Sequence, residues 1–355
     1  MSEDASSVAP GLNCPIPFED TDRVQLGHGS GGKLSAALLR DRFLPHFGNP
    51  ALDQLADAAV VTLGGEDIAV STDSFVVSPL EFPGGNIGSL AVHGTVNDLA
   101  MMGARPMFLS TGFVLEEGLP FDVLDRVIRA MAESARAAEV LVVAGDTKVV
   151  ERGKADGLFI NTAGIGRLGP SFRPAPGNAR PGDVILVSGA IARHGMAIMA
   201  VREGIAFEAP IESDSASLFP LVQLLEQSVG TDVHVLRDPT RGGVASALNE
   251  IAAASKVGMA LEEGAIPVPG PVAGACEMLG LDPLYVANEG VLIAFVPEQR
   301  ESAALEALRG HPLGRDATRI GRVVDEHTGF VVLHTGIGGR RIVDLLPGDQ
   351  LPRIC

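Results

Sequence analysis

Aromatic residues and positive charge are both scarce in this sequence. Its 355 residues include no tryptophan and one tyrosine, and Phe, Trp and Tyr together make up 4%. Lys and Arg number 27 against 44 Asp and Glu, which gives a formal net charge of −17 at pH 7. Few aromatic side chains can stack on bases, and the net charge would repel a phosphate backbone. Both deficits argue against a nucleic-acid-binding protein.

Cysteine and long apolar runs are also limited. The three cysteines, Cys14, Cys276 and Cys355, are too few and odd in number for a disulfide framework. No run of about 18 apolar residues occurs, so no membrane span is predicted. Residues 1–20 are polar and acidic, which is not the pattern of a secretory signal. We therefore expect a cytoplasmic protein, whose thiols stay reduced.

Apolar residues and turn formers, by contrast, are plentiful. Hydrophobic residues make up 46% of the chain, with 43 glycines and 24 prolines. Because strand pairs alternate with helical patterns, we predict two α+β domains rather than a doubly wound sheet. The predicted divisions are a disordered leader (1–21), an N-terminal domain (22–168), a Pro- and Gly-rich linker (169–183), a C-terminal domain (184–335) and a mobile tail (336–355).

The apolar periodicity predicts individual elements of the N-terminal domain. A short strand is expected over 24–26, followed by an amphipathic helix over 34–43. A second helix is expected over 87–102. The apolar run over 140–144 is typical of a buried strand.

A glycine-rich run lies between the first predicted strand and the first predicted helix. Its sequence from Gly27 to Lys33 is GHGSGGK. Backbone N–H groups left accessible by glycine, together with a helix N-terminus, suit an anion such as phosphate. No acidic residue follows at the distance of a dinucleotide site, and Leu34 replaces the hydroxyl residue of a Walker A loop. A flexible surface loop explains the run equally well.

Carboxylates near the ends of predicted strands form a second candidate group. Asp67 and Asp73 flank one predicted strand, and Asp146 follows another. Asp98 lies in the predicted helix over 87–102. Such hard oxygen ligands suit Mg²⁺ at a nucleotide site, although capping or turn formation accounts for any one of them.

Further polar residues occur on a helix face and at two turns. His93 and Asn97 are four residues apart, so they share a face of the predicted helix. Asp238 and Thr240 lie in RDPTRGG, which either caps the next helix or approaches a ligand with its backbone. Glu289 lies between apolar runs in NEG, where a hairpin turn is the ordinary explanation.

The chain ends in a cysteine. Cys355 follows a segment in which Gly336, Gly338 and Gly339 predict a hinge. A thiol on a mobile arm can accept a group at one site and react at another, because its thiolate is a nucleophile. An incidental terminal cysteine is the alternative.

Seven segments resemble, in matching order, the motifs of one protein family. They are GHGSGGK, STDSFVVSP, HGTVNDLAMMGARP, GDTKVV, RDPTRGG, NEG and the terminal PRIC. They are similar to the HypE family of hydrogenase maturation proteins, which are carbamoyl dehydratases, and the resemblance runs from Leu26 to Cys355. PRIC is its most specific element. The other motifs are shared more loosely with aminoimidazole ribonucleotide synthetase, thiamine-monophosphate kinase and selenophosphate synthetase.

The resemblance implies a fold and an activity. The fold would be the two-domain α+β fold of aminoimidazole ribonucleotide synthetase with a flexible C-terminal tail, in a homodimer formed by the N-terminal domains. ATP and Mg²⁺ would bind between the two domains. The carbamoyltransferase HypF would place a carbamoyl group on Cys355, and ATP-dependent dehydration would convert it to a thiocyanate. The cyano group would then pass to iron in a HypC–HypD scaffold complex, as a ligand of a [NiFe] hydrogenase centre.

The resemblance also implies roles for individual residues. The expected metal ligands are Asp67, Asp73, Asp98 and Asp146, with Asp238 as a further candidate. The expected nucleotide-binding residues are Gly27, Gly29, Gly31, Gly32, Lys33, Asn97, Thr147, Asp238 and Thr240. The expected catalytic residues are Cys355, Glu289, Lys148 and His93. Glu289 is the preferred base, and Lys148 and His93 would shape or share the proton transfer.

Two other functions remain open at this point. One is another ATP-dependent synthetase or kinase of the superfamily that acts on a free small molecule, which would have no use for Cys355. Gly31 and Gly32 precede Lys33, which disfavours a selenophosphate synthetase because those enzymes usually carry cysteine or selenocysteine there. The other is a non-catalytic, nucleotide-regulated scaffold, which would bind ATP without cysteine-dependent turnover.

Overall fold

The computed structural model describes residues 23–205, 210–346, 348, 351 and 353–355. The predicted leader over 1–21 and Cys14 lie outside the described residues. The elements of the first domain are α1 (Lys33–Leu38), α2 (Leu44–Phe47), β1 (Ala59–Leu63), β2 (Glu66–Phe75), β3 (Glu81–Phe82), β4 (Gly85–Asn86), α3 (Ile87–Met101), β5 (Ala104–Glu116), α4 (Phe121–Ala137), β6 (Leu141–Val150) and β7 (Leu158–Leu168). A π-helical turn at Leu39–Phe43 joins α1 to α2, so the helix predicted over 34–43 continues further.

Five strands of this domain form one sheet in the order β1-β2-β7-β5-β6. β5 and β6 run parallel, and the other neighbouring pairs are antiparallel. Residues of β7 alternate between the two faces, and Leu158 and Ile160 point into the core beneath α3 and α4. On the opposite face, the paired side chains of Val70, Ile165 and Phe108 are exposed. This sheet therefore has one covered face and one uncovered apolar face.

The helix α3 occupies the centre of the molecule. Asn86 caps it by accepting hydrogen bonds from the N–H groups of Gly88 and Ser89 at 2.9 and 3.2 Å. Its C-terminal residues Ala100 and Met101 pack into a hydrophobic core of the second domain. Candidate residues 93–98 therefore lie on an element that both domains contact.

The second domain contains β8 (Asp183–Val187), α5 (Arg193–Arg202), α6 (Phe219–Ser228), β9 (Val235–Arg237), α7 (Gly243–Ser255), β10 (Gly258–Glu262), α8 (Gly270–Leu279), β11 (Ile293–Pro297), α9 (Glu301–Arg309), β12 (Thr318–Val324), β13 (Val331–His334) and β14 (Arg340–Val343). Its sheet has the order β14-β13-β10-β12-β8-β11-β9. Helices cover both faces. Ile185 and Val187 of β8 pack with residues of α5, α7 and α8, whereas Val184 and Leu186 pack with residues of α6 and α9. The predicted two-domain α+β organisation is confirmed.

Three local predictions differ from the structure. Residues 24–26 form no strand, because Leu26–Gly29 is a short 3-10 helix held by local hydrogen bonds between Gln25 and His28. In the run over 140–144, predicted to be a buried strand, Val140 is buried but residues 141–144 belong to the exposed edge strand β6. Residues 336–343, predicted to begin the mobile tail, form the turn and second strand of the β13–β14 hairpin. Among the described helices, none is both long enough and apolar enough to cross a membrane.

Candidate active site

Three aspartates from separate parts of the chain meet at the interface between the domains. Asp57 precedes β1, Asp98 lies in α3, and Asp238 directly follows β9. One carboxylate oxygen of each lies within 4.8 Å of the others. The Ser71 hydroxyl donates a hydrogen bond of 2.6 Å to Asp98, and the Arg237 guanidinium pairs with Asp57. We call Asp57, Asp98 and Asp238 the acid cluster.

Burial raises the pKa of every carboxyl group in the acid cluster. For Asp57 and Asp98 the pKa lies well above its usual range, first because of burial and then because of neighbouring charges. The pKa of Asp238 is raised to about 6, again chiefly by burial. The charge of Asp73, on the adjacent strand β2, adds to the rise for all three. Negative charges held this close together favour a bound cation.

Two carboxylate oxygens of the acid cluster have the properties of metal ligands. Oδ2 of Asp57 and Oδ2 of Asp238 are buried, and neither accepts a hydrogen bond from a described residue. A buried polar atom without a partner costs roughly 1–3 kcal/mol, and more when it is charged. Carboxylate oxygens are the ligands that Mg²⁺ prefers. The residues present therefore fit this ion.

The structure places the predicted metal ligands of β2 and α3 in different surroundings. Asp98 belongs to the acid cluster, and Asp73 lies beside it. Asp67 lies apart, at the start of β2, where its carboxylate pairs with Arg173 at 3.1 Å. Asp57 was not singled out by the sequence analysis. The only available signal was an isolated acid before the apolar run that forms β1.

Asp146, Thr147 and Lys148 lie together on the edge strand β6. All three are exposed, and the Lys148 ammonium group pairs with Asp146 at 2.8 Å. The sheet register aligns Asp73 of β2 with Gly145 of β6 across two intervening strands. Three strand spacings correspond to roughly 14 Å. Within one chain, these three residues are therefore separated from the acid cluster.

The second half of the glycine-rich run packs tightly against the C-terminal domain. Gly31 has a φ of +79°, and a Cβ atom there would lie 3.0 Å from the Arg241 carbonyl oxygen. A Cβ atom at Gly32 would lie 2.4 Å from the Leu346 carbonyl oxygen, to which the Lys33 N–H donates at 2.9 Å. Glycine is therefore required at both positions for this close approach.

The remaining polar groups of the run also form contacts within the protein. The Gly27 carbonyl oxygen accepts a hydrogen bond of 2.8 Å from the Ser30 hydroxyl. The Lys33 ammonium group pairs with Asp344 at 2.6 Å, where both side chains are partly exposed. The loop is thus held against the segment that leads to the end of the chain.

A cavity of about 180 Å³ separates the glycine-rich run from the end of the chain. Arg241 and Cys355 both line it, and Arg241 donates a hydrogen bond of 3.2 Å to the Gly29 carbonyl oxygen. The pKa of Arg241 is raised, first by the negative charge at Cys355 and further by Asp73 and Glu289. Arg241 is a site residue that the sequence analysis left without a role. Its position depends on contacts between the two domains.

The last residues of the chain lie along the segment that follows β2. The Val76 N–H donates a hydrogen bond of 3.1 Å to a main-chain carboxylate oxygen of Cys355. The Ser78 N–H donates one of 3.3 Å to the carbonyl oxygen of Arg353. These main-chain bonds place the terminal residue at the cavity.

Side chains also anchor this docked end. The Arg353 guanidinium pairs with Asp156 at 2.6 Å and lies 5.8 Å from the centre of the Phe159 ring. Ile354 is only 3% exposed and packs in a hydrophobic core of the N-terminal domain. The PRIC motif therefore contains an ionic contact and an apolar anchor next to Cys355.

Glu289 and His93 are buried groups with shifted pKa values. The pKa of Glu289 is raised well above its usual range, first by burial and then by the charges of Asp238 and Asp214. Burial lowers the pKa of His93 to about 4, and its Nδ1 lies 3.0 Å from the Ser215 hydroxyl oxygen. A carboxylate of raised pKa is a stronger base than an exposed one, whereas the lowered pKa makes the His93 imidazole a weaker base that stays neutral. Glu289 therefore suits proton acceptance, and His93 suits hydrogen bonding beside it.

Two predicted nucleotide-binding residues form hydrogen bonds inside the protein. The fully buried Asn97 donates a hydrogen bond of 3.0 Å to the Ala216 carbonyl oxygen and accepts one of 2.8 Å from the Leu218 N–H. The Thr240 N–H donates one of 3.0 Å to the Asp238 carbonyl oxygen. These contacts hold α3 and the turn after β9 in place beside the acid cluster.

Comparison with known proteins supports both the fold and the family. Residues 55–168 match the family described as AIR synthase related protein, N-terminal domain, and residues 180–334 match its C-terminal domain. The carbamoyl dehydratase HypE of Azotobacter vinelandii is 54% identical over 332 residues, which cover 94% of this chain and 97% of the relative.

Solved structures give the same result. A crystal structure of the hydrogenase maturation protein HypE in complex with ATP is 52% identical, with a TM-score of 0.79, and covers 92% of this chain and 98% of its own. A chain in a crystal structure of a HypE–HypF complex is 47% identical, with a TM-score of 0.83. The match covers 87% of this chain and 100% of the solved one. The predicted fold of aminoimidazole ribonucleotide synthetase type is confirmed by these matches.

Proposed function

The chain belongs to the HypE family of carbamoyl dehydratases, and we propose that its carbamoyl substrate is carried on the thiol of Cys355. The observation that carries this proposal is the position of Cys355 in the cavity between the glycine-rich run and Arg241. Arg241 also interacts with the charges of Asp98 and Glu289. The negative charges of Cys355, Asp98 and Glu289 therefore all act on one guanidinium group. An enzyme acting on a free small molecule would have no use for this docked thiol.

ATP would bind between the glycine-rich run and the acid cluster. The solved relative in complex with ATP supports ATP as the substrate. Asp57, Asp98 and Asp238 would hold Mg²⁺, with Asp73 beside them. When bound, the ion would neutralise charge on the triphosphate. The two unpartnered oxygens of the acid cluster support this assignment.

Dehydration requires the carbamoyl oxygen to become part of a leaving group. In the proposed reaction this oxygen attacks the γ-phosphorus of ATP, the bond to the bridging oxygen breaks, and ADP leaves. The carbon–oxygen bond then breaks, inorganic phosphate departs with the carbamoyl oxygen, and both N–H protons are removed. A thiocyanate remains on Cys355. Phosphoryl transfer of this kind depends mainly on positioning and charge neutralisation, which Arg241 would assist.

Glu289 is the proposed base for removal of the N–H protons. Burial raises its pKa and so makes its carboxylate a stronger proton acceptor. His93, whose pKa of about 4 keeps it neutral near pH 7, would share or direct the transfer. Lys148 is the third proposed participant, although it lies on β6 of the same chain, apart from these two.

A homodimer would bring Lys148 to the site. Phe108 and Ile165 are exposed on the uncovered face of the first sheet. Leu141 and Val149 of the edge strand β6 are 64% and 67% exposed. Unpaired edges and contiguous apolar surfaces favour association with another chain. We propose that two copies pair through their N-terminal sheets and that Lys148 then acts on the site of the partner subunit.

The proposed partners act before and after the dehydration. HypF would supply the carbamoyl group, and the solved HypE–HypF complex of a relative supports this role. A HypC–HypD scaffold complex would accept the cyano group on its iron. Because Cys355 must remain a thiol to accept its cargo, we propose that the enzyme acts in the reducing cytoplasm.

Intact-mass measurement tests the proposed function. The chain is loaded by HypF with carbamoyl phosphate and ATP, purified, and then given Mg²⁺-ATP alone. We expect the gain of one carbamoyl group, followed by the loss of one water. Cys355→Ala should gain nothing, and Glu289→Gln should load but retain its water. Equal mass changes in Cys355→Ala and the unsubstituted chain would refute Cys355 as the carrier.

A further inference from the structure

The imidazole of His194, in the first turn of α5, contacts the docked end of the chain. Its Nε2 lies 2.8 Å from the Ile354 carbonyl oxygen, and its Nδ1 lies 2.8 Å from the Ser213 hydroxyl oxygen. His194 is 0% exposed and packs edge-on against Phe82 at 5.5 Å between ring centres. Burial lowers its pKa, so the ring is neutral near pH 7. Since a carbonyl oxygen can only accept, Nε2 carries the hydrogen and Nδ1 accepts from Ser213.

Residues 213–215 continue from this contact to both candidate proton-transfer groups. The Ser213 hydroxyl oxygen accepts a hydrogen bond of 3.1 Å from the Ser215 N–H. The Ser215 hydroxyl oxygen lies 3.0 Å from Nδ1 of His93. The Asp214 carboxylate accepts hydrogen bonds of 3.2 and 3.1 Å from the N–H groups of Glu289 and the glycine after it. Residues 213–215 thus contact both the His93 ring and the backbone of Glu289.

Close packing leaves this segment little freedom to move alone. The Ser213 N–H donates a hydrogen bond of 2.8 Å to the Pro83 carbonyl oxygen. A Cβ atom at Gly84 would lie 2.8 Å from the Ser213 carbonyl oxygen, and one at Gly290 would lie 1.7 Å from that of Asp214. Packed elements of this kind transmit a displacement instead of absorbing it. A shift at Ser213 would therefore reach residues 289 and 290.

We infer that His194 and Ser213 form a positioning relay that couples docking of Cys355 to the alignment of His93 and Glu289. With the chain end docked, the Ile354 carbonyl oxygen fixes the His194 ring, and the ring fixes Ser213. When the chain end leaves, Nε2 loses its acceptor and residues 213–215 lose this restraint. The base is then aligned only while the thiol is in the cavity. This inference rests on the proposed function and names positioning residues, not catalytic ones.

Two substitutions test whether His194 and Ser213 align His93 and Glu289, or whether His194 only holds the end of the chain in place. His194→Gln keeps an N–H donor for Ile354, but its acceptor is an amide oxygen on the same terminal carbon and not a ring nitrogen on the side towards Ser213. Ser213→Ala leaves His194 intact and removes the hydroxyl that joins its ring to the Ser215 N–H. Iodoacetamide alkylation of Cys355, followed by mass analysis of the C-terminal peptide, measures docking. Single-turnover loss of water from the preloaded chain measures alignment. His334→Gln, on β13 in contact with Glu262, is the matched control.

The relay predicts that the substitutions slow dehydration without changing the alkylation rate of Cys355. Ser213→Ala and His194→Gln should be alkylated within about twofold of the unsubstituted rate, yet should lose water about tenfold more slowly or worse. Hydrogen exchange at residues 289 and 290 should rise in both variants, whether or not turnover occurs. Hydrogen exchange at residues 289 and 290 and a dehydration rate that both stay unchanged would overturn the relay. It would also be overturned if the alkylation rate of Cys355 rose in proportion to the loss of dehydration activity. Failure of the unsubstituted chain to lose water would instead refute the proposed function.

Discussion

At the scale of single residues, the acid cluster brings three carboxylates close together at the interface between the domains. Asp57, Asp98 and Asp238 converge where the two domains meet. Arg237 pairs with Asp57 but also with Glu250, so its charge offsets only part of the cluster. Burial disfavours the ionised carboxylates, and a bound cation would remove this penalty. The acid cluster therefore favours ligand binding at the expense of the stability of the unliganded protein.

Asp98→Asn should separate these two effects. The neutral amide removes one buried charge, so the free energy of unfolding in EDTA should rise by about 1 kcal/mol. Loss of a ligand should weaken Mg²⁺ binding about tenfold or more. Urea unfolding in EDTA and in graded Mg²⁺-ATP measures both quantities. Asp232→Asn, an exposed partner of Arg300, should change neither by more than about 0.5 kcal/mol. Mg²⁺ affinity unchanged in Asp98→Asn would contradict the assignment.

The buried His93 predicts a pH dependence of stability. Its pKa is about 4 in the folded protein, below the unfolded value of 6.5, because burial disfavours the cation. Its contribution to stability is therefore present above pH 6.5 and is lost as the pH falls from 6.5 towards 4. Below pH 6.5 the loss should approach about 1.4 kcal/mol per pH unit. His93→Gln should reduce this slope in urea unfolding, whereas His334→Gln should not. Equal slopes for all three proteins would contradict the burial of a neutral His93.

At the scale of elements, the end of the chain is a short docked segment beyond a fixed strand. β14 pairs with β13, so the mobile part of the chain cannot include Arg340–Val343 while this pairing holds. The described docking contacts are main-chain hydrogen bonds from residues 76 and 78, side-chain hydrogen bonds of His194, Arg202 and Arg353, the Arg353 ion pair and the buried Ile354. These contacts would break and re-form together as the thiol moves between partners.

Ile354→Ala should release the docked end. Truncating a buried isoleucine costs about 2–5 kcal/mol in a core, so alkylation of Cys355 should become at least about tenfold faster. The mass of the C-terminal peptide, followed against time with iodoacetamide, gives this rate. Ile342→Ala, on β14 and 51% exposed, should alkylate like the unsubstituted chain. A rate unaffected by Ile354→Ala would mean that the apolar anchor does not hold the thiol in place.

The sequence predicts these elements well where the signal is local. The helix over 87–102 was recognisable from apolar periodicity, and the structure places α3 there. The hairpin turn at Gly336 was mistaken for a hinge, because glycines occur both in tight turns and in flexible segments. Asp57 and Arg241 could not be assigned from the sequence, since their roles arise only when two domains meet. An apolar run also cannot distinguish burial in its own chain from burial against another.

At the scale of the whole molecule, the proposed homodimer would account both for the uncovered N-terminal sheet and for the distance of Lys148 from the acid cluster. Val143, Leu141 and Val149 are exposed on β6, beside Asp146 and Lys148. Pairing of two sheets would bury the apolar residues and bring polar residues of one copy close to the site of the other. On this account each site is assembled from two chains.

Subunit complementation tests this shared site. Lys148→Ala and Glu289→Gln should each be inactive alone, but their co-expressed mixture should recover activity. If half the dimers are mixed and each has one intact site, dehydration should return to about a quarter of the unsubstituted rate. Two different affinity tags isolate the mixed dimer, and intact mass measures its turnover. A mixed dimer without activity would place Lys148 in the site of its own subunit, and a Lys148→Ala protein that is active alone would place it outside catalysis.

The central claim is that the carbamoyl group on Cys355 meets ATP between the two domains and transfers its oxygen to phosphate. Loading the chain with a carbamoyl group labelled with oxygen-18 in its carbonyl tests this directly. After addition of Mg²⁺-ATP, mass spectrometry of the released phosphate locates the label. We predict one labelled phosphate for each thiocyanate formed on Cys355. Thiocyanate accompanied by unlabelled phosphate and labelled water would contradict the claim.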